Sequence, residues 1–397
     1  MFKIDRYKSL VHLILLYTVT TLSYTLWPID APNKVVGILI FLNVLWVYCD
    51  QLNVKKLIIA GMAISCVMIA IVQASSFYLN LTDSIYYLVG VFLLASLSCK
   101  RFTSGLYQAL EQSENLVRLV VLVCNLLLCI GFFDSRCYDT SQWDGTYFLG
   151  YTNASHTLCS GICLLFVLTL FFLRRKTNIL TFAFFVPGAV AILQSGARTY
   201  LVSLVILLII FYIFHIKQVS LKVLLLPVAA VIAFYAFLNS SMMTKFLFSV
   251  NNEYSNMDYL GKLTNGRTEF WILDIRTYLE SNFFHKIFGF GFDYVYNINL
   301  KNFGLSIWAH NDLINCLISV GAVGTITYLF SVFWANRQIW RGRNRSWFSA
   351  ILLICYMILP AFLNGFYAYQ HHLYSFIILS VLFVEFYTIG EKSGVEQ

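Results

Sequence analysis

The sequence predicts an all-α polytopic membrane protein with about twelve transmembrane helices and one long periplasmic loop. Of its 397 residues, 59% are hydrophobic and 12% are charged, and the mean hydropathy is +0.73. A soluble protein carries about 25% charged residues. Because so few charges cannot cover so much apolar surface in water, lipid must be the solvent for most of the chain. A single helical bundle with loops is therefore expected.

Twelve apolar segments make up the predicted bundle. A spanning helix needs roughly 20 mainly apolar residues. The first segment follows Lys3, Arg6 and Lys8 and continues to Trp27 without a small-residue cleavage site, so we expect an uncleaved signal-anchor helix. The twelve segments are 9–27, 34–49, 57–73, 84–98, 115–133, 154–173, 178–194, 199–215, 220–238, 310–335, 347–367 and 373–390.

The distribution of basic residues predicts how these helices are oriented. With both termini in the cytoplasm of a bacterial inner membrane, 18 of the 27 lysines and arginines fall on the inner side. The short inner loops 174–176 and 337–345 are especially basic, whereas the outer loop 74–83 has no positive charge. The net charge of +8 is then a consequence of topology, and no nucleic-acid partner is predicted.

This topology divides the chain into three parts. Residues 1–238 hold helices one to nine, 239–309 form a long periplasmic loop, and 310–397 hold the last three helices and a cytoplasmic tail. A loop of that length inside a compact protein is usually functional when it is ordered. Within it, residues 267–283 show helical spacing of apolar side chains, which predicts an amphipathic helix on the membrane surface or over a cavity.

A second outer loop, 134–152, is rich in acidic and aromatic residues, among them Asp134, Asp139, Trp143 and Asp144. Such side chains suit carbohydrate contact, but they also fit an ordinary interfacial aromatic belt. Nine of the ten cysteines lie in or at the ends of apolar segments, and Cys137 lies in this loop. Without a CxxC pair, they are predicted to act as small apolar residues and not as a disulfide or metal framework.

Two arginines stand out on the predicted outer side, against the usual charge bias. Arg198 follows Gly196 in a tight turn between two apolar helices and opens the second of them, where an anion is favoured. Arg267 lies in the first turn of the helix that Thr264 or Asn265 can cap, where a cation is unfavourable unless an anion compensates. Both positions fit a bound phosphate. The alternatives are an Arg198 that reaches lipid headgroups and a Glu269 that compensates Arg267.

His310 is the candidate general base, at the outer end of the helix 310–335. An imidazole can take a proton from a sugar hydroxyl near neutral pH. Asn311 or Asp312 could orient it, although adjacent residues on a helix do not face each other. A histidine at a helix start is also commonly a plain cap or interface residue. The loop carboxylates Glu269, Asp274 and Asp293 are further candidates to replace or assist it.

These motifs occur in an order that resembles one family. They are Ser195-Gly196-Ala197-Arg198-Thr199, Asn265-Gly266-Arg267 with Trp271, Gly289-Phe290-Gly291-Phe292, and His310-Asn311 followed after nine residues by Gly321-Ala322-Val323-Gly324. Over about 190–330 the chain resembles the O-antigen polymerase and O-antigen ligase superfamily. In the other half, Gly150-Tyr151-Thr152-Asn153 looks like that family's Gly/Asn loop, which makes Asn153 a candidate binding residue.

The resemblance implies an inverting glycosyl transfer from an undecaprenyl-pyrophosphate-linked glycan, without a metal or nucleotide cofactor. It implies that Arg198 and Arg267 hold the pyrophosphate and that His310 is the general base. Glu269, Asn311, Asp293 and Asn153 are further candidate substrate contacts. Two guanidiniums suit the charge that develops on the leaving group, and the sequence has no DxD-like metal motif to do so instead. Any protein partner that limits chain length would contact the membrane helices.

Three functions are weighed on these grounds. A polymerase uses another lipid-linked repeat as acceptor, a ligase uses the lipid A core, and the Gly-Phe-Gly-Phe stretch favours the polymerase. A lipid-linked oligosaccharide flippase is the alternative from another class. Transporters usually carry ionisable residues near the bilayer midplane, and here Glu385, near the inner end of the last helix, is the main exception.

Overall fold

The computed structural model describes residues 5–27, 31–140, 145–174, 183–215, 227, 231–251, 264, 266–341 and 347–386. Within these residues the chain is almost entirely helical. One antiparallel sheet of two short strands, β1 (Tyr138–Asp139) and β2 (Tyr147–Phe148), lies in the loop 134–152. The predicted all-α class is therefore confirmed. Asn265, Trp143, Asp144 and parts of the predicted segments 178–194, 220–238 and 373–390 lie outside the described residues.

Seventeen helices are described, and α15 bends at Gly321. They are α1 (Arg6–Leu22), α2 (Ala31–Cys49), α3 (Val54–Gln73), α4 (Phe77–Ser96), α5 (Lys100–Gln112), α6 (Glu114–Gly131), α7 (Ser155–Leu173), α8 (Val186–Ser195), α9 (Arg198–His215), α10 (Val231–Leu238), α11 (Ser241–Asn251), α12 (Arg267–Glu280), α13 (Phe283–Phe288), α14 (Tyr294–Phe303), α15 (Asp312–Arg341), α16 (Trp347–Leu363) and α17 (Gln370–Val381).

Six of these helices are long and apolar enough to cross a membrane: α2, α3, α4, α6, α7 and α15. A seventh span results if α10 and α11, which meet at an angle of 60°, are counted as one broken helix. The other predicted segments correspond to shorter helices or lie partly outside the described residues. Several of these shorter helices remain strongly apolar, among them α8, α9 and α16.

The structure contains a helix that the sequence pattern did not suggest. Residues 100–112, predicted as part of an inner loop, form α5. Phe102, Leu106, Ala109 and Leu110 recur on one face of α5 and are fully buried, whereas Lys100 on the opposite side is exposed. The helix is too short and too polar to span a membrane. It is instead amphipathic, and its apolar face packs on α1 and α17.

Helix α7 lies at the centre of the bundle. It packs against α1, α6, α8, α9 and α17, and nearly all of its side chains from Leu158 to Leu173 are buried. A helix that is apolar on every side is stable only when other helices or lipid surround it. Its first turn, which carries His156, is thereby held in a fixed position at one end of the bundle.

The two glycine motifs of the sequence meet at one backbone crossing. Phe290 N donates to Ile318 O at 2.8 Å, and Gly291 N donates to Ser319 O at 3.0 Å. Gly289 and Gly321 both have positive φ, and a Cβ at either would come within 2.4 Å of the other segment's backbone. Only glycine fits such an approach. This crossing fixes the segment before α14 against the kink of α15. The kink follows His310 in the sequence.

Candidate functional site

The structure brings Arg198 and Arg267 to a single cavity of about 310 Å³. We call it the cation cavity. It opens among the first turns of α7, α9 and α12, with α11 and the end of α16 completing the wall. Its lining residues are His156, Gly196, Arg198, Thr199, Val202, Lys245, Phe246, Thr264, Arg267, Trp271 and Leu363.

Arg198 is positioned by the tight turn that the sequence predicts. Helix α8 ends at Ser195, Gly196 adopts φ +66°, and α9 begins at Arg198. A Cβ on Gly196 would lie 2.9 Å from the Tyr147 ring, so the turn needs glycine for its space as well as its conformation. Arg198 therefore presents its charge at the end of α9 whose dipole also favours an anion.

Arg267 opens α12 immediately after Gly266, whose φ is +78°. Its guanidinium donates to the carbonyl of Leu363 and, at 3.3 Å, to Asn364 Oδ1. Burial lowers the pKa of Arg267, and the nearby charge of Arg198 lowers it further. Glu269, the alternative partner, is exposed and is not among the cavity's lining residues. Two cations so close together favour an anion between them.

Lys245 is a third cation in this cavity, and sequence reasoning missed it. It lies on α11 with its ammonium 5.7 Å from the centre of the Tyr147 ring on β2. The loop 134–152 thus contacts Lys245, a lining residue, although none of the loop's described residues lines the cavity itself. Lys245 belongs to no motif. The signal that could have found it is a lysine in an apolar stretch on the side where the charge bias disfavours lysine.

His310 lies beside the cation cavity in a strained conformation, with φ +52°. Trp271 Nε1 donates to Ala309 O at 2.7 Å, so α12 and the His310 segment are fixed together. Burial, and then the charge of Arg267, lowers the pKa of His310 to about 3. The imidazole is therefore neutral at neutral pH. Its Nδ1 is buried and has no hydrogen-bond partner among the described residues, so it is available to a substrate.

A second histidine, His156, joins His310 to the cation cavity. Its ring centre lies 6.2 Å from that of His310 and 5.8 Å from that of Tyr369. Its Nδ1 is 3.4 Å from Asn364 Nδ2, the amide that also contacts Arg267. Sequence reasoning examined the neighbouring Asn153 but missed His156. An ionisable residue in the first turn of an otherwise apolar helix was the available signal.

Asn311 and Asp312 do not face the cavity but hold the segment that carries Asn364. Asn311 Oδ1 caps α15 by accepting from the amides of Leu313 and Ile314. The fully buried Asp312 carboxylate accepts from the amides of Phe366 and Tyr367 and from the Tyr328 hydroxyl, at 2.7 to 3.2 Å. Asp312 therefore fixes the segment 364–369 against the start of α15.

We expect Asp312→Asn to impair the site without removing any group from the cavity. An amide would place N–H against the donors of Phe366 and Tyr367, and leaving these unsatisfied costs about 1–3 kcal/mol. Asn364 would then no longer hold Arg267. The thermal stability and the activity of the protein should both decrease, and Tyr328→Phe, which removes one donor only, should have the smaller effect. Unchanged activity of Asp312→Asn would contradict this role.

The remaining candidates lie elsewhere. Asp293 is buried, and its Oδ2 accepts from Ser75 N, Ser75 Oγ and Ser76 N at 2.6 to 2.8 Å, which ties α14 to the segment before α4. Asp274 is fully buried on α12 without a hydrogen-bond partner among the described residues, and burial raises its pKa to about 7. Neither lines the cation cavity.

Asn153 lines a different and larger cavity, of about 520 Å³, which we call the aromatic cavity. It lies among the ends of α1, α2, α4, α7 and α17. Tyr369 belongs to its wall and also contacts His156 and Trp308, so it separates this cavity from the cation cavity. Five of the nineteen described residues that line the aromatic cavity are tyrosines, and three carry side-chain amides, Asn33, Asn153 and Gln370. Lys34 is the one Lys, Arg, Asp or Glu side chain among these nineteen.

Comparison with known proteins gives one family match. Residues 183–329 match the family model described as O-antigen ligase. The match includes Arg198, Arg267, the glycine crossing and His310. No curated protein matches the chain.

Proposed function

We propose, from the membership of this chain in the O-antigen ligase and polymerase superfamily, that it is a polymerase of lipid-linked glycans. Membership supports glycan transfer of the ligase or polymerase type by a multi-pass membrane protein. The specific proposal is that a growing undecaprenyl-pyrophosphate-linked glycan is transferred to a lipid-linked repeat unit at the periplasmic face.

One observation carries the proposal: three cations from three separate helices line one cavity, beside a neutral imidazole whose Nδ1 has no hydrogen-bond partner in the part of the chain that the structure describes. A pyrophosphate leaving group concentrates negative charge as its bond to the sugar breaks. Preorganised cations stabilise that charge more in the transition state than in the ground state. Arg198, Lys245 and Arg267 are placed for this task, and the dipole of α9 adds to it.

In the proposed reaction, His310 takes the proton from the acceptor hydroxyl, and that oxygen attacks the anomeric carbon of the donor. The bond from this carbon to the pyrophosphate oxygen breaks, and its electron pair leaves with undecaprenyl pyrophosphate. Attack opposite the leaving group inverts the anomeric centre. His156 and Trp308 lie beside the His310 ring, and Tyr369 packs against both of them, so these rings limit the access of water to this step.

Donor binding would also activate the base. The charge of Arg267 is one of the causes that hold the pKa of His310 low. A bound diphosphate offsets that charge, so the pKa of His310 should rise toward its ordinary value and the imidazole should become a stronger base. The base is thus weak in the empty protein and stronger when the donor is in place.

The aromatic cavity is the proposed site for the acceptor glycan. Tyrosine rings and side-chain amides are neutral groups that stack on and hydrogen-bond to sugars, and Asn153 belongs to this set. His156 lines the cation cavity and Tyr369 lines the aromatic cavity, and the two rings are in contact. The donor would lie on the His156 side and the acceptor on the Tyr369 side. Asn311 and Asp293 are then proposed to support the surrounding elements through the hydrogen bonds described above, whereas the exposed Glu269 remains a proposed substrate contact.

The finer topology belongs to the same proposal. It comprises twelve spans in a bacterial inner membrane, cytoplasmic termini, and the three parts 1–238, 239–309 and 310–397. The six long apolar helices support it, as does the position of the site at the end of α15 away from the basic Arg337 and Arg341. A chain-length-regulating partner would bind the membrane helices.

Ligation to the lipid A core is the second candidate, because the matching family model is described as O-antigen ligase. Deleting the gene and examining the lipopolysaccharide separates the two functions. A polymerase deletion should leave a single repeat on the core, whereas a ligase deletion should leave none. Wild-type chain-length ladders after deletion would contradict both.

A further inference from the structure

At the other end of α15, a small pocket gathers four basic side chains. Its volume is about 140 Å³, and Lys55, Lys56, Arg337 and Arg341 are among its lining residues. Lys55 and Lys56 open α3, and the two arginines end α15. Helix α15 bends at Gly321, and the 20 residues from 322 to 341 beyond the bend rise about 30 Å. That rise alone matches the roughly 30 Å hydrocarbon core, so the basic pocket lies at the membrane face opposite the Asp312 end.

The positive charge of this pocket is not neutralised by the protein residues that the structure describes. None of the four basic side chains forms an ion pair with an acidic residue that the structure describes. The nearest acid along the chain, Asp50, is already held by Arg6 at 2.7 Å and by Arg101 at 3.2 Å. Like charges four residues apart on a helix, as in Arg337 and Arg341, repel each other. An external anion would offset this repulsion.

The helix dipoles favour the positions of the two arginines in this pocket but not those of the two lysines. Cations at the end of α15 interact favourably with the negative end of its dipole. Lys55 and Lys56, in the first turn of α3, lie at a positive end, where a cation is unfavourable. Lys56 is nevertheless buried, with its ammonium bonded to Gln51 Oε1 at 2.6 Å. An anion in this pocket would be favoured by the lysines, by the arginines and by the positive end of the α3 dipole.

We propose that this pocket binds the phosphate group of an anionic phospholipid in the leaflet opposite the candidate site. Trp334 lines the pocket and marks the depth of the membrane interface, where lipid phosphates lie. Exposed Arg337 and Arg341 can reach the headgroup, while the chains of the lipid extend along the apolar surface of α15 and α3. Basic pockets between helices on the cytoplasmic side recognise such headgroups. The proposal is independent of the enzymatic function.

The test uses the full-length protein purified in a mild detergent, with native mass spectrometry as readout. Phosphatidylglycerol and phosphatidylcholine are titrated in turn. We expect one phosphatidylglycerol to be retained well above the level of phosphatidylcholine. The double variant Arg337→Gln/Arg341→Gln should bind it about thirtyfold more weakly, from the loss of two charges near the surface. The matched control Lys8→Gln removes a cation that does not line the pocket and should bind as the wild type does.

A second arm separates a lipid headgroup from a free anion. Millimolar inorganic phosphate should not displace the retained lipid, because it lacks the chains that lie along the helices. Displacement by phosphate alone would overturn the lipid assignment. Equal retention of the two lipids, or equal retention by the double variant and by Lys8→Gln, would overturn the site itself. Charge-conserving Arg337→Lys/Arg341→Lys should keep most of the binding, which excludes misfolding as the cause of the loss.

Discussion

Arg267→Ala is expected to abolish long-chain polymer while the protein remains in the membrane at its normal level. The variant removes a guanidinium from the cation cavity and releases the carbonyl of Leu363 and the amide of Asn364. Loss of one preorganised group that stabilises developing charge costs about a hundredfold to a thousandfold in rate. The rate of glycan transfer by purified protein and the chain-length ladder in cells both measure this loss.

Arg267→Lys should fail nearly as completely. Arginine can donate to Leu363 O and Asn364 with one part of its planar fork and still present N–H groups to a diphosphate, whereas lysine offers a point charge. Arg276→Ala is the matched control. Arg276 lies on the same helix and is exposed, and its one ion pair within the described part of the chain is with Glu280 four residues on, so transfer should be unchanged. A normal ladder from Arg267→Ala at wild-type expression would contradict the assignment.

His310→Gln should reduce transfer by about a hundredfold to ten-thousandfold, the usual contribution of a general base. Glutamine approximates the shape and polarity of the imidazole but cannot take the proton. The loss should appear in the rate at saturating donor, with donor binding retained, because the cation cavity is intact. His12→Ala, which alters a histidine near Ser113 at the other end of the bundle, should leave the rate unchanged.

The same substitution has a consequence for acid stability. In the folded protein the pKa of His310 is lowered to about 3, against 6.5 for an ordinary histidine. Between these values the unfolded chain binds a proton that the folded protein does not, so stability falls as the pH drops from about 6.5 toward 3. His310→Gln removes this contribution and should therefore lose less thermal stability between pH 7 and pH 5 than the wild type. An equal or greater loss would show that His310 is not held neutral.

The sequence could predict the elements of the site that depend on local chemistry. The turn at Gly196, the helix beginning at Arg267 and the positions of both arginines at helix starts all follow from residue type and spacing over a few residues. Composition likewise predicts an all-helical membrane protein. The number of spans is harder to predict, because an apolar segment such as 347–367 forms a helix, Trp347–Leu363, that is shorter than the apolar pattern.

The groups that complete the site could not be read from local patterns. Lys245, His156 and Asn364 come from three separate elements, and their roles arise only when α7, α11 and the segment after α16 pack together. The structural contacts of Asp293 and Asn311 could not be predicted locally either. Both are candidate substrate contacts in the sequence, and in the folded protein their side chains accept hydrogen bonds from backbone amides. Long-range contacts decide both outcomes.

The glycine motifs illustrate how a family pattern acquires a physical cause. Gly289 and Gly321 are 32 positions apart, and nothing local explains why both are needed. In the structure their backbones approach so closely that a Cβ on either would collide with the other segment. This contact fixes the position of the kink of α15. It thereby also fixes the helical segment that joins the kink to the His310 turn. The spacing between His310 and Gly321 is thus set by the helical segment that joins the turn to the crossing.

The central claim is that the cation cavity holds the diphosphate of a lipid-linked glycan, and a structure with an undecaprenyl-pyrophosphate-linked repeat unit bound tests it most directly. We expect the diphosphate to contact Arg198, Lys245 and Arg267, with its first sugar directed toward His310 and Tyr369. A diphosphate bound outside this cavity, with Arg198 and Arg267 making no contact to it, would contradict the account.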